Sequence, residues 1–123
     1  MNTILWVVQA LVAVVFLYSG IQKSIYREQK LVAAGQTGVA GLPAGLIRFI
    51  GVAELLGTIG IILPMLLHIL PILTIVSAAG FAIIMVLAAV VHYKRHEPKN
   101  VVTNCILFIL CLFIIYGRLY LTN

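Results

Sequence analysis

The chain has 123 residues, of which 63% are hydrophobic and only 9% are charged. Ordinary soluble domains carry roughly 25% charged residues, so this composition excludes a typical soluble protein and predicts one domain that resides in a bilayer. The formal net charge of +5 would suit nucleic acid, but the basic residues cluster at the ends of apolar stretches. Such clusters set membrane topology and contact anionic headgroups. We therefore expect the lipid bilayer as a partner and no nucleic acid.

Four apolar stretches are each close to the roughly 20 residues that cross the hydrocarbon layer. They cover about residues 4–22, 44–63, 72–92 and 101–119. Each is predicted to be a helix, because a chain in lipid must satisfy its backbone hydrogen bonds internally. The first stretch lacks a preceding basic segment and a small-residue cleavage site, so we interpret it as a retained span rather than a signal peptide. The sequence predicts an all-α membrane protein, an antiparallel bundle of four transmembrane helices over residues 1–123.

The connections between the spans differ in charge. The first and third connections hold six basic residues, whereas the second holds none. The positive-inside rule places the first and third connections in the cytoplasm and both termini outside it. The long first connection predicts a short interfacial helix over residues 26–34, and then a glycine-rich segment. Pro64 and Pro71 predict the end of the second span and the start of the third.

Glu54 is an acidic residue inside an apolar stretch. Counted from Pro43, it lies about 16 Å along the helix, near the middle of the bilayer. An ionised acid there costs about 2.5–3.5 kcal/mol, so Glu54 should be protonated or paired, and should face protein rather than lipid. It is either a hydrogen-bonding peg between packed helices or part of a site for a ligand, a proton or a partner.

Small residues surround Glu54 on its helix and allow a second helix to approach closely. Those predicted to pack are Gly51, Gly57, Thr58 and Gly60, and the third span offers a matching stripe of Ser77, Ala78, Gly80 and Ala82.

Other polar residues near the cytoplasmic ends of the spans could approach Glu54. Tyr18 and Gln22 lie one turn apart in the first span, and Lys23, Arg48 and His92 could form a polar mouth below Glu54. Arg48 also suits snorkelling to the headgroups. Arg118, at the opposite end, is interpreted as an interfacial anchor with Tyr116 and Tyr120.

The sequence carries no metal motif beyond a His92–His96 pair at a helix end, which has no carboxylate or thiol in register apart from nearby Glu97. Nucleotide-binding loops and a nucleophile elbow are also missing from it. Cys105 and Cys111 point about 120° apart on one helix and cannot pair within it. We therefore expect no intrinsic cofactor and no catalysis by the chain alone.

Four short segments resemble the DoxX-like family of small four-helix membrane proteins: "YSGIQK", "IGVAELLGTIGIILP", "VVHYKRHE" and "YGR". The resemblance runs from about Ile4 to Arg118, and its most specific part is the second segment. It implies a multi-pass protein of the bacterial plasma membrane, with redox or assembly roles in some relatives. It also implies a functional set of Lys23, Glu54, His92 and Arg118.

Three functions remain open on the sequence. We favour a binding or accessory protein with an intramembrane pocket around Glu54 for a lipophilic, quinone-like ligand or a partner helix. A membrane-protein partner or a homo-oligomer is also compatible with the sequence. The second is a small proton-coupled transporter similar to the small multidrug resistance exporters, although those place the acid in the first span. The third is a subunit of a quinone-linked oxidoreductase, without intrinsic haem because paired inward histidines are missing from the sequence.

Overall fold

The structure, a computed structural model, describes residues 2–70 and 72–121. Its four long helices are α1 (Asn2–Ile25), α3 (Ala44–Leu67), α4 (Ile72–Lys94) and α5 (Pro98–Tyr116). A π-helical turn, Gly117–Leu121, extends α5. A short helix α2 (Glu28–Ala33) and a 3-10 turn (Thr37–Val39) lie in the first connection. All four long helices are apolar and long enough to cross a membrane, which confirms the predicted four-helix membrane fold. The orientation of the termini stays a prediction.

The second span does not end at Pro64, as the sequence predicted. Helix α3 continues to Leu67 and is capped by His68 in the left-handed conformation, with φ 55°. Proline removes one backbone donor and leaves the carbonyl four residues earlier without its helical partner. That carbonyl belongs to Gly60, and the Thr74 hydroxyl of α4 donates to it at 3.1 Å. A neighbouring helix therefore makes the proline tolerable inside α3. Pro71 lies outside the described residues, and α4 begins at Ile72.

The bundle is packed in the cyclic order α1, α3, α4, α5, with much sparser contact between α1 and α5. Its core contains the stacked rings of Phe16 and Phe81, whose centroids lie 3.8 Å apart. Gly57 makes room for the second ring, since a Cβ there would lie 2.6 Å from it. Gly60 lies against Ser77 of α4. Gly80, which was expected in the same stripe, is exposed and faces open space.

The first connection folds back onto the helix ends rather than extending into solvent. Leu31 of α2, Val39 of the 3-10 turn and Ile47 of α3 form a small apolar cluster, and all three are buried. This cluster fixes the connection against the same end of the bundle at which α1 and α4 end. We call this the loop end, and the other the far end.

Candidate functional site

A buried ion pair joins α1 to α3 in the half of the bundle nearer the loop end. The Lys23 ammonium lies 2.9 Å from Glu54 Oε1, and the Glu54 side chain is 1% exposed. The Ser19 hydroxyl lies 3.1 Å from each oxygen of the same carboxyl group. Glu54 thus faces protein, and its charge is met by an opposite charge and a hydroxyl donor, as burial in an apolar layer requires.

Gly51 explains why α1 can approach Glu54 so closely. It lies almost one turn before Glu54 on the same face of α3, and a Cβ there would come within 2.8 Å of the Lys23 side chain. Thr58, one turn after Glu54, donates instead to the Glu54 backbone carbonyl at 2.9 Å. The Thr58 hydroxyl therefore donates within its own helix and not to the Lys23–Glu54 ion pair.

The network continues into the first connection through Gln36. The Gln36 amide donates to Ser19 Oγ at 3.3 Å and to Gln22 Oε1 at 3.0 Å. Gln22 is therefore close to the ion pair, as expected, but it binds the connection rather than Glu54.

A cavity of about 520 Å³ lies beside the ion pair. All four long helices and the first connection contribute to its wall, which is apolar along most of the helices and polar around Glu54. Its polar lining residues from the helices are Tyr18, Ser19, Gln22, Lys23, Glu54, His92, Asn100, Thr103 and Asn104.

Asn104 of α5 supplies a polar group that sequence reasoning missed. Its side chain is 8% exposed and lines the cavity. Its Nδ2 is buried, and no described residue accepts a hydrogen bond from it. Leaving a buried amide donor unsatisfied costs about 1–3 kcal/mol. The signal in the sequence was a lone Asn in the fourth apolar stretch.

A second cluster stands at the loop end, where α4 turns into α5. His92 Nδ1 lies 2.8 Å from Glu97 Oε1, and the Thr37 hydroxyl donates to that oxygen at 3.0 Å. Arg95 Nε is 3.4 Å away from it. These contacts, with the His92 hydrogen bond first, lower the pKa of Glu97. The ionised Glu97 accepts only, so His92 Nδ1 carries the proton and donates.

Arg48 does not belong to the polar mouth that the sequence suggested, nor does it snorkel away from the bundle. Its guanidinium donates to the backbone carbonyls of Lys23 and Tyr26, both at 2.7 Å. These carbonyls lie at the end of α1, where no helical donors remain. Arg48 therefore caps α1. Tyr18 is 65% exposed and stands at the rim of the cavity.

Arg118 lies at the far end, away from the other residues of the functional set, and its interpretation as an interfacial anchor is wrong. It is 3% exposed. Its Nε donates to Gln9 Oε1 at 2.7 Å, and its Nη1 donates to Asn2 Oδ1 at 2.6 Å. Gln9 is fully buried and also donates to the Ile61 carbonyl at 2.8 Å. Because Gln9 precedes Ser19 by ten positions, the two polar centres on α1 are about 15 Å apart.

Comparison with known proteins supports the resemblance in the sequence. A model described as the DoxX-like family matches residues 7–114. No curated protein gave a match, and no solved structure did either.

Proposed function

Because this chain belongs to the DoxX-like family, and its four helices make it a multi-pass membrane protein, we propose that it is a binding or accessory protein of the bacterial plasma membrane. Its site is the cavity beside Glu54, and its ligand is a lipophilic molecule with a polar head, of which a quinone is the type we favour.

The observation that carries this proposal is the position of the Lys23–Glu54 pair on the wall of a cavity. A pair that served only as a peg between helices would be enclosed by packed side chains. Here the Glu54 side chain is 1% exposed, but the Lys23 side chain keeps 12%, and Lys23 borders a space of about 520 Å³, which is in the range of ligand pockets. Ligand pockets are typically apolar with a few convergent polar groups, and this cavity has that character.

The hydrogen-bond donors and acceptors on the cavity wall suit a ligand whose polar head is uncharged and carries carbonyl or hydroxyl groups. Lys23 and Glu54 neutralise each other, so the pair attracts no net charge. The Lys23 ammonium has three protons, of which one is directed to Glu54, and the Asn104 side chain also lines the cavity. Carbonyl oxygens of a quinone would accept from such donors.

The proposal is tested by measuring the affinity of a benzoquinone with a decyl side chain for the protein in lipid nanodiscs, against empty nanodiscs. Glu54→Gln is expected to weaken binding about tenfold or more, because Lys23 loses the charged partner that holds its ammonium at the cavity wall, and a hydrogen bond from a charged group contributes on this order. Glu28→Gln is the matched control, because Glu28 does not line the cavity and the amide can still accept from the Gly41 N–H. It should bind as the unaltered protein does.

A double variant guards against misfolding. Glu54→Gln alone leaves Lys23 buried and unpaired, which destabilises a protein strongly. Lys23→Met combined with Glu54→Gln removes both charges, and should fold while binding the quinone weakly. Equal affinity in the unaltered and double-variant proteins would overturn the proposal. Flux of a lipophilic cation that depends on Glu54 would favour the transporter instead.

A further inference from the structure

The loop end of the cavity is covered by the first connection. Its residues on the cavity wall are Ala34, Gly35, Gln36, Gly38, Val39 and Leu42. The loop end carries the ends of the spanning helices, so it faces water, and this segment stands between the water and the ion pair.

Two glycines in the left-handed region bound the covering segment. Gly35 has φ 101° and Gly41 has φ 82°. Neither is crowded, because a Cβ would find open space at both positions. The backbone conformation alone therefore favours glycine here. We call the residues between them, Gln36–Ala40, the lid.

The lid is held by contacts on three sides. Gln36 donates to Ser19 and Gln22 of α1. Thr37 donates to Glu97, which also holds His92 and Arg95. Val39 is 3% exposed and packs with Leu31 and Ile47. Two of these three contacts are polar side-chain hydrogen bonds, and the one from Thr37 contributes more because its acceptor is charged.

The cavity has a different boundary at its side, between α1 and α5. These helices contact each other at the far end, where Leu5 packs on Gly117. Toward the loop end both helices line the cavity. Tyr18 of α1 is 65% exposed, and Thr103 of α5 is also exposed. Since the sides of the bundle face lipid, the cavity reaches the hydrocarbon layer here.

From these two boundaries we propose that the site takes an amphiphile with a hydrocarbon tail, which is dissolved in the membrane and enters the cavity sideways from the lipid. The Thr37–Glu97 contact meanwhile holds the lid over the water-facing end. The inference rests on the proposed function for the ligand, but the access it describes belongs to the cavity itself. It predicts that the cavity interior is open to lipid-soluble reagents and closed to charged ones.

A single reporter thiol tests both boundaries without any natural ligand. Ala88 lines the cavity from α4, and Ala88→Cys is made with Cys105→Ala and Cys111→Ala in nanodiscs, whose two faces are both accessible. N-dodecylmaleimide probes access from lipid, and trimethylammonioethyl methanethiosulfonate probes access from water. We expect the maleimide to react readily and the charged reagent slowly.

Breaking the latch should change only one of these rates. Thr37→Val removes the hydroxyl that donates to Glu97 and is expected to speed the charged reagent about tenfold, in line with the loss of a hydrogen bond to a charged group. Glu97→Gln, whose amide oxygen can still accept, is expected to speed it roughly threefold. The maleimide rate should stay the same. The native thiol of Cys105, which is exposed on α5, serves as a control when it is kept as the single cysteine, and its maleimide rate should be equal in all latch variants.

Two results would overturn the inference. Rapid reaction of the charged reagent in the protein with an intact latch, unchanged by Glu97→Gln, would show that the lid does not close the cavity. A reporter thiol inert to the maleimide, while Cys105 reacts, would show that no route from lipid exists. Failure of the quinone to bind, with the expected reagent pattern, would count against the proposed function alone.

Discussion

Both halves of the bundle contain a buried charged side chain, but the surroundings of that side chain differ between them. At the far end Arg118 is enclosed by amide side chains, and its guanidinium carbon lies 5.3 Å from the centre of the Trp6 ring. The neighbouring glycine, Gly117, lies so close to Leu5 that a Cβ there would force the Leu5 side chain to move. At the loop end the Lys23–Glu54 pair lies on the wall of a cavity.

This difference separates a structural charge from a candidate binding charge. The far end uses its polar groups to join helices, since Gln9 connects α1 with both α3 and Arg118. The loop end places polar side chains on the wall of a cavity, among them Lys23 and Asn104. Substitutions at the far end should therefore lower stability without changing binding. Those on the cavity wall should change binding, and they should also lower stability where one partner of the ion pair is left alone.

The largest effect is expected for Arg118→Met. It leaves the acceptors of Gln9 and Asn2 without their donor, which should lower the free energy of unfolding by about 3 kcal/mol. Unfolding in sodium dodecyl sulfate, followed by circular dichroism, measures it. Arg118→Lys should retain part of the stability. A loss of quinone affinity in folded Arg118→Met would contradict the separation of the two halves.

A smaller loss is expected for Gly57→Ala. The new methyl group would meet the Phe81 ring at 2.6 Å, and the ring must move out of its stack with Phe16. Such overpacking costs about 1–3 kcal/mol. Gly80→Ala is the control, because Gly80 faces open space and alanine favours a helix by roughly 1 kcal/mol. If both substitutions changed the free energy of unfolding alike, Gly57 would not be packed tightly against the Phe81 ring.

The smallest effect concerns pH at the latch. The pKa of Glu97 is lowered by its hydrogen bond to His92, so its contribution to stability is complete above the ordinary glutamate value of about 4.3. That contribution is lost only as the pH falls through the lowered pKa. A carbon-13 titration of the Glu97 carboxyl group should have its midpoint below the ordinary value, and His92→Ala should raise it. An unchanged midpoint in that variant would remove His92 as the main cause.

The sequence predicted the fold because spans of this length and apolarity have few alternatives in lipid. It also predicted that Glu54 faces protein, since a midplane acid cannot face acyl chains cheaply. The end of the second span was predicted too early because Thr74 donates to the Gly60 carbonyl that Pro64 leaves unpaired, a tertiary contact that local sequence rules do not contain. The prediction that Arg118 is an interfacial anchor was wrong because an arginine near the end of a span can either lie at the membrane–water interface or pair with a buried amide side chain.

Apart from Asn104 within α5, the contacts that the sequence did not predict involve the first connection and the end of α1. Gln36 and Thr37 approach α1 and Glu97 only because the first connection folds back on the bundle. Arg48 caps α1 across a sequence separation that no helix periodicity reveals. Both cases depend on a loop conformation, which is the part of a membrane protein that hydropathy does not specify.

The most direct test of the central claim is to fill the cavity. Ala88→Leu adds apolar volume to its wall, so a cavity that is only a packing defect would be filled at no functional cost. We predict that this variant unfolds no more easily than the unaltered protein but binds the decyl benzoquinone about tenfold or more weakly, which corresponds to 1.4 kcal/mol or more. Undiminished affinity with the cavity filled would contradict the claim that this space is the binding site.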